Sequence, residues 1–128
     1  MNTLLTYLLA LSLLLLAACT HAEKAATISQ QELVTRMADQ STPTIIDVRT
    51  AEEFQQGHVP GAIHVPYDNY KNALQALGLK AADEVVVYCE KGGRAKKVEH
   101  YLEQQGFGEV RHLEGDMSAW RSASLPVE

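Results

Sequence analysis

Apolar positions fall along this chain in two regimes. Leu4–Ala18 is almost wholly apolar, interrupted only by Thr6, Tyr7 and Ser12. Beyond Cys19 the apolar residues come in short clusters, alternately β-branched runs and helically spaced sets. Ala26-Thr27-Ile28 is a brief candidate strand. Ser29 and Glu32 have capping-box spacing, and Leu33, Val34 and Met37 give one apolar face, which predicts a helix over 30–38. Thr44–Val48 is a β-branched run and predicts a strand. Thr50 and Glu53 repeat the capping-box spacing and open a helix that runs to Gln56, with Gly57 closing it. Ala62–Val65 predicts a short strand that ends at Pro66. Asp68 or Asn69 can cap a helix carrying Ala73, Leu74 and Leu77. Glu84–Tyr88 holds Val85, Val86, Val87 and Tyr88 in succession, the pattern of a central parallel strand buried on both faces. Arg94–Gln105 is a helix with Ala95, Val98, Tyr101 and Leu102 facing inward. Val110–Leu113 is a last strand, and Asp116 can cap a short helix containing Met117 and Trp120.

Five strands separated by helices imply an α/β fold, a parallel sheet covered on both faces with right-handed crossovers. In such sheets, sites form beyond the carboxyl ends of the strands. The rule points to the residues after Tyr88.

Composition narrows the class. The chain has 128 residues and a net charge of −5, which allows one domain. Two cysteines exclude a disulfide-dense miniprotein, and one apolar stretch excludes a polytopic membrane protein. An acidic balance argues against nucleic-acid binding. Every charged residue lies after Cys19.

The N-terminal run rises roughly 22 Å as a helix, short of a hydrocarbon core about 30 Å thick. Its length suits the apolar region of a signal peptide. Leu16-Ala17-Ala18-Cys19 resembles the lipobox of bacterial lipoproteins, in which the cysteine thiol receives a diacylglycerol and the chain is cut just before it. Residues 1–18 are therefore expected to be a signal peptide, Cys19 the lipidation site, and 19–25 a polar tether. The alternative is an uncleaved anchor with an incidental Cys19. Either places the domain, residues 26–128, outside the cytoplasm on the periplasmic side. Thr20, in place of the Asp that retains enterobacterial lipoproteins in the inner membrane, implies the outer membrane if the organism has one.

The candidate chemistry is Cys89-Glu90-Lys91-Gly92-Gly93-Arg94. A cysteine directly after a buried strand is followed by a glycine turn and a helix. Glycines allow backbone N–H groups to turn inward, and the helix start directs its positive dipole end at the same place. A thiolate is favoured in such a setting, and Arg94 offers a planar donor fork for an oxyanion. Residues 90–97 carry a local excess of positive charge inside an acidic domain, which favours a small anionic substrate. His58 and His64 lack metal-ligand spacing, and neither metal nor cofactor is expected. Arg49 with Glu53 is expected to form a structural ion pair. Cys89 as a buried structural cysteine, or in a disulfide with Cys19, is the alternative to a functional role.

The Cys89–Arg94 segment, with four residues between Cys and Arg, resembles the active-site loop of rhodanese-domain sulfurtransferases. Two flanking stretches agree: Asp47–Phe54 followed by Gly57–Pro66, and Leu113–Asp116 with Trp120 and Leu125–Glu128. The resemblance implies a rhodanese-like three-layer sandwich with a five-stranded parallel central sheet. It implies Cys89 as the nucleophile that forms a persulfide, with the amides of Glu90, Lys91, Gly92, Gly93 and Arg94 holding the sulfur. Partners would be a thiosulfate-like donor and a thiophilic acceptor, cyanide or a thiol. Four residues before the Arg, rather than the five of related phosphatases and arsenate reductases, favour sulfur over a tetrahedral oxyanion. Asp116 stands where the family usually has a second glycine and is expected to cap the last helix. Glu53 stands near where two-domain thiosulfate enzymes carry a basic residue. A catalytically weak binding module or persulfide carrier is the alternative function.

Overall fold

A computed structural model describes residues 26–128; the apolar segment, Cys19 and the tether expected at 19–25 lie outside the described residues. The strands are β1 (Thr27–Ile28), β2 (Thr44–Asp47), β3 (Ile63–His64), β4 (Glu84–Tyr88) and β5 (Glu109–Leu113). The helices are α1 (Gln30–Ala38), α2 (Ala51–Gln55), α3 (Tyr70–Leu77), α4 (Gly93–Gln104) and α5 (Asp116–Ser122), with a 3₁₀ turn at Tyr67–Asn69 before α3. All strand pairings are parallel, in the order β1-β5-β4-β2-β3. The α/β three-layer arrangement read from the sequence is therefore the observed one.

Strand alternation sorts the apolar side chains onto two faces. Along β4, Val85 and Val87 pack with Ile46, Val48, Leu74, Ala95, Val98 and Leu102, beneath α3 and α4. Val86 and Tyr88 point the other way and pack with Ile28, Leu33, Met117 and Trp120, beneath α1 and α5. β4 is the central strand, and all of Val85–Tyr88 is buried. Each of these side chains contributes roughly 1.5–3 kcal/mol by leaving water.

Local signals set the helix starts. Ser29 Oγ accepts the Glu32 N–H at 3.0 Å, so the N-cap forms. The Glu32 carboxylate turns away from a capping box to the buried Arg111, at 2.7 Å. At α2 the box is complete, with Thr50 Oγ1 accepting the Glu53 N–H and Glu53 Oε2 accepting the Thr50 N–H at 2.8 Å. No side chain caps α3, where the sequence suggested Asp68 or Asn69; the 3₁₀ turn leads directly into the helix.

Candidate active site

β4 ends at Tyr88 and delivers Cys89 at the carboxyl edge of the sheet, with only 2% of its surface exposed. The chain then turns through Glu90–Gly92 into α4. Gly92 is the residue that makes the turn possible. Its φ is +104°, and a Cβ there would lie 3.0 Å from Asp116 Oδ2 and 3.4 Å from the His112 ring. In this conformation the Gly92 N–H donates to Cys89 Sγ at 3.0 Å. Gly93 has no such requirement: an added Cβ would meet nothing within 4 Å. The inward turn of the backbone therefore depends on one glycine, not on two.

The loop is anchored to α5 from behind. The N–H groups of Met117 and Ser118 donate to the carbonyls of Cys89 and Glu90 at 3.0 and 3.2 Å. These are first-turn donors that an isolated helix leaves unsatisfied. The Cys89 N–H donates to Asp116 Oδ1 at 3.0 Å. Asp116 is thus not the helix cap that its position suggested. Gly115 occupies the N-cap without a side-chain bond, and Asp116 itself has a φ of +54°, which swings its carboxylate toward Cys89.

Arg94 projects from the first turn of α4 and meets Glu53 from α2 through two bonds, of 2.8 and 3.1 Å. Hydrogen bonding from Arg94, against the opposing effect of burial, and the Thr50 N–H bring the Glu53 carboxyl down to about 2. Arg94 is held charged chiefly by Glu53, and its guanidinium also feels Cys89. The ion pair expected between Arg49 and Glu53 does not form. Arg49 is buried and pairs with Asp47, with Nη2–Oδ2 at 2.8 Å, and donates to the Gly57 carbonyl at 2.8 Å. Tyr88 completes this cluster, donating to Asp47 Oδ2 at 2.6 Å and accepting the Val59 N–H at 3.1 Å. Burial, reinforced by the Asp47 charge, pushes the Tyr88 phenol up, so it stays a donor.

The rest of the loop faces outward. Glu90 pairs with Arg121 and lies 3.6 Å from Arg49, which offsets its charge. Lys91, Lys96 and Lys97 are exposed. A cleft of about 720 Å³ opens beside Arg94, lined by Arg49, Thr50, Tyr67 and Asn69 among others. Tyr67 therefore borders the opening, whereas Tyr70 stacks behind it at 5.6 Å. His58 and His64 bond to the Phe54 and Arg49 carbonyls and stack on Phe54. Among the described residues, no group of three or more His, Cys, Asp or Glu side chains is arranged to hold a metal ion.

Two residues behind the loop were not singled out from the sequence. His112 of β5 lies between Asp116 Oδ2, at 3.0 Å from Nε2, and the Glu99 carboxylate at Nδ1. Hydrogen bonds to Asp116 and then Glu99 outweigh burial and push His112 up to about 10, so it is an imidazolium at neutral pH. No local motif marks it; only the alternation of β5 placed it on the face that α4 covers.

A thiol with an N–H on its sulfur and a guanidinium beside it suits attack on a polarisable, negatively charged centre. The chain is similar to proteins named as sulfurtransferases. Over 100 residues the chain is 33% identical to a sulfurtransferase of Allochromatium vinosum, spanning 78% of this chain and 92% of the relative. It is 40% identical over 93 residues to the chloroplastic thiosulfate sulfurtransferase 16 of Arabidopsis thaliana, spanning 65% and 78%. A human single-domain sulfurtransferase superposes with a TM-score of 0.68 at 28% identity, covering 77% of this chain and 96% of that one. Residues 29–123 match the Rhodanese-like domain, and the chain belongs to that family.

Proposed function

We propose that this protein moves a sulfane sulfur from thiosulfate or a similar donor to a thiophilic acceptor through a persulfide on Cys89. The observation that carries the proposal is the Gly92 N–H on Cys89 Sγ at 3.0 Å, with the loop closed by Arg94. In the first step the Cys89 thiolate attacks the outer sulfur of thiosulfate. A new S–S bond forms, the bond to the sulfonate sulfur breaks, and sulfite leaves with that electron pair. Cys89 becomes a persulfide anion, its charge facing the amides of Glu90–Arg94. In the second step cyanide or a thiolate attacks the terminal sulfur, and the electron pair returns to Cys89. This is covalent catalysis by two displacements.

Glu90, Lys91, Gly92, Gly93 and Arg94 form the substrate loop in this reading. Cys19 carries a lipid that holds the domain, residues 26–128, on the periplasmic side of a membrane, after removal of residues 1–18. The Glu53–Arg94 pair favours a second reading, a persulfide carrier that receives sulfur from a less charged donor, because the loop's guanidinium already has a carboxylate partner. Intact mass after incubation with thiosulfate, followed by cyanide, tests the first. The protein is expected to gain one sulfur atom and then lose it as thiocyanate, and Cys89→Ser is expected to do neither. Equal thiocyanate production by the two proteins would sink the proposal. Loading from an organic persulfide but not from thiosulfate would favour the carrier.

A further inference from the structure

Asp116 is a buried carboxylate in a conformation that disfavours it. Its φ of +54° follows Gly115 at +73°, so two successive residues occupy the left-handed region, which glycine enters at no steric cost. Asp116 caps nothing, and only 3% of it is exposed. Both of its oxygens are engaged. Oδ1 accepts the Cys89 N–H at 3.0 Å, and Oδ2 lies 3.0 Å from His112 Nε2. The other ring nitrogen of His112 is bonded to Glu99. A continuous row therefore runs from Glu99 on α4, through His112 on β5 and Asp116 on α5, to the backbone of Cys89. Three separate elements converge on a single amide. Oδ2 also packs against Gly92, whose N–H is the donor to Cys89 Sγ.

Glycine would relieve the backbone at 116, so what the carboxylate adds at this position is its pair of bonds, to the Cys89 N–H and to His112. A negative charge this close to a thiolate also needs compensation, and the imidazolium of His112 supplies it from the far side. We propose that Asp116, clamped by His112 and Glu99, is a positioning residue: it fixes the Cys89 amide and so sets the sulfur against the Gly92 N–H and Arg94. The inference rests on the sulfurtransferase reading for its turnover assay, but not for its chemical assay. A ligand's outer partners orient it in the same manner at metal sites, and a misplacement on the order of 1 Å can cost about 100-fold in rate.

The test uses the full chain in detergent, with Asp116→Gly, Asp116→Asn, His112→Gln and the Asp116→Gly/His112→Gln pair. Asp116→Gly is expected to fold and to lower kcat at least ~10-fold while KM for thiosulfate stays within about twofold. Asp116→Asn, whose amide oxygen can still accept the Cys89 N–H, is expected to recover most of kcat. His112→Gln is expected to lower kcat in the parent but not in the Asp116→Gly background, because a residue that acts through another is silent without it. Alkylation of Cys89 by iodoacetamide, followed on its own peptide by mass, provides a readout independent of sulfur transfer. It is expected to be slower by about fivefold or more in Asp116→Gly and near the parent rate in Asp116→Asn. An Asp116→Gly protein that alkylates at the parent rate or faster overturns the inference. So does strict additivity of the two substitutions in kcat. A parent that alkylates as expected but transfers no sulfur defeats the sulfurtransferase reading and leaves the positioning role standing. Should Asp116→Gly fail to fold, His112→Gln carries the alkylation test with the same two outcomes.

Discussion

Arg94 and Glu53 meet in a two-pronged ion pair, with Nη1–Oε2 at 2.8 Å and Nη2–Oε1 at 3.1 Å. Glu53 belongs at the same time to the capping box that starts α2. One carboxylate therefore ties the helix after β2 to the cation after β4. A donor oxyanion that approaches Arg94 must share it with Glu53.

Glu53→Gln separates these two duties. Glutamine serves as well as glutamate at the third position of a capping box, so α2 keeps its start, while the charge on Arg94 is released. KM for thiosulfate is expected to fall about three- to tenfold, the range that a half-exposed ion pair worth about 1 kcal/mol allows. Steady-state kinetics at two ionic strengths checks this, and the difference between the proteins should shrink in high salt. An unchanged or higher KM would mean that Arg94 does not meet the donor.

The pH dependence of stability is set on the alkaline side by His112. Its folded-state value, about 10, lies above the ordinary 6.5 because Asp116 and Glu99 hold the imidazolium. Between those two values the folded protein binds more protons than the unfolded chain, so stability falls as pH rises. The contribution is complete below about 6.5 and lost through about 10. Urea midpoints across that window are expected to decline for the parent and to be flatter for His112→Gln. On the acid side the sign reverses. Glu53, lowered to about 2 from 4.5, contributes above the higher value and is lost as pH falls through the lower.

What the sequence made legible follows from how local each signal is. The run Val85–Tyr88 and the spacing of Thr50 and Glu53 are determined by neighbours in the chain, and both elements formed at the expected places. The Cys89–Arg94 turn was likewise visible, because a strand, a glycine and a helix start adjoin one another. Partner choice between distant side chains was not. Glu53 pairs with a residue 41 positions away rather than with Arg49, and Arg49 instead sits on Asp47, two positions back. Asp116 looked like a cap because Asp commonly begins helices; its left-handed φ redirects the carboxylate to an amide 27 positions away. Glu32 kept half of its capping role and gave its carboxylate to Arg111, 79 positions on. The long-range choices depend on strand order, which no short window contains.

Arg49 is expected to be a stability residue. Its side chain and that of Asp47 are 1% and 0% exposed, respectively, so removing the cation leaves a buried carboxylate whose donors among the described residues are Tyr88 and the Arg49 backbone. Arg49→Met is expected to cost about 3–5 kcal/mol, and Arg49→Met with Asp47→Asn less than that, because breaking one half of a buried pair is worse than removing both. Denaturant titration of the two variants checks the order. A larger loss in the double variant would contradict it.

The two glycines of the turn make opposite predictions, although the sequence presents them as equivalent. Gly92 combines a φ of +104° with a Cβ site 3.0 Å from the buried Asp116 carboxylate. Gly92→Ala must strain the backbone by about 1–2 kcal/mol and also displace Asp116, or else move the Gly92 N–H off Cys89 Sγ. Gly93 has ordinary φ and open space, at the start of α4, where alanine is intrinsically the better helix former by about 1 kcal/mol at an interior position and by less at an end. Gly93→Ala is therefore expected to fold at least as stably as the parent and to retain sulfur loading. Gly92→Ala is expected to lose stability and to load sulfur more slowly, by about tenfold or more if the sulfur shifts on the order of 1 Å. Thermal midpoints and the rate of the one-sulfur mass gain measure both. Equal loading rates for the two variants would show that the Gly92 conformation does not set the reactivity of Cys89.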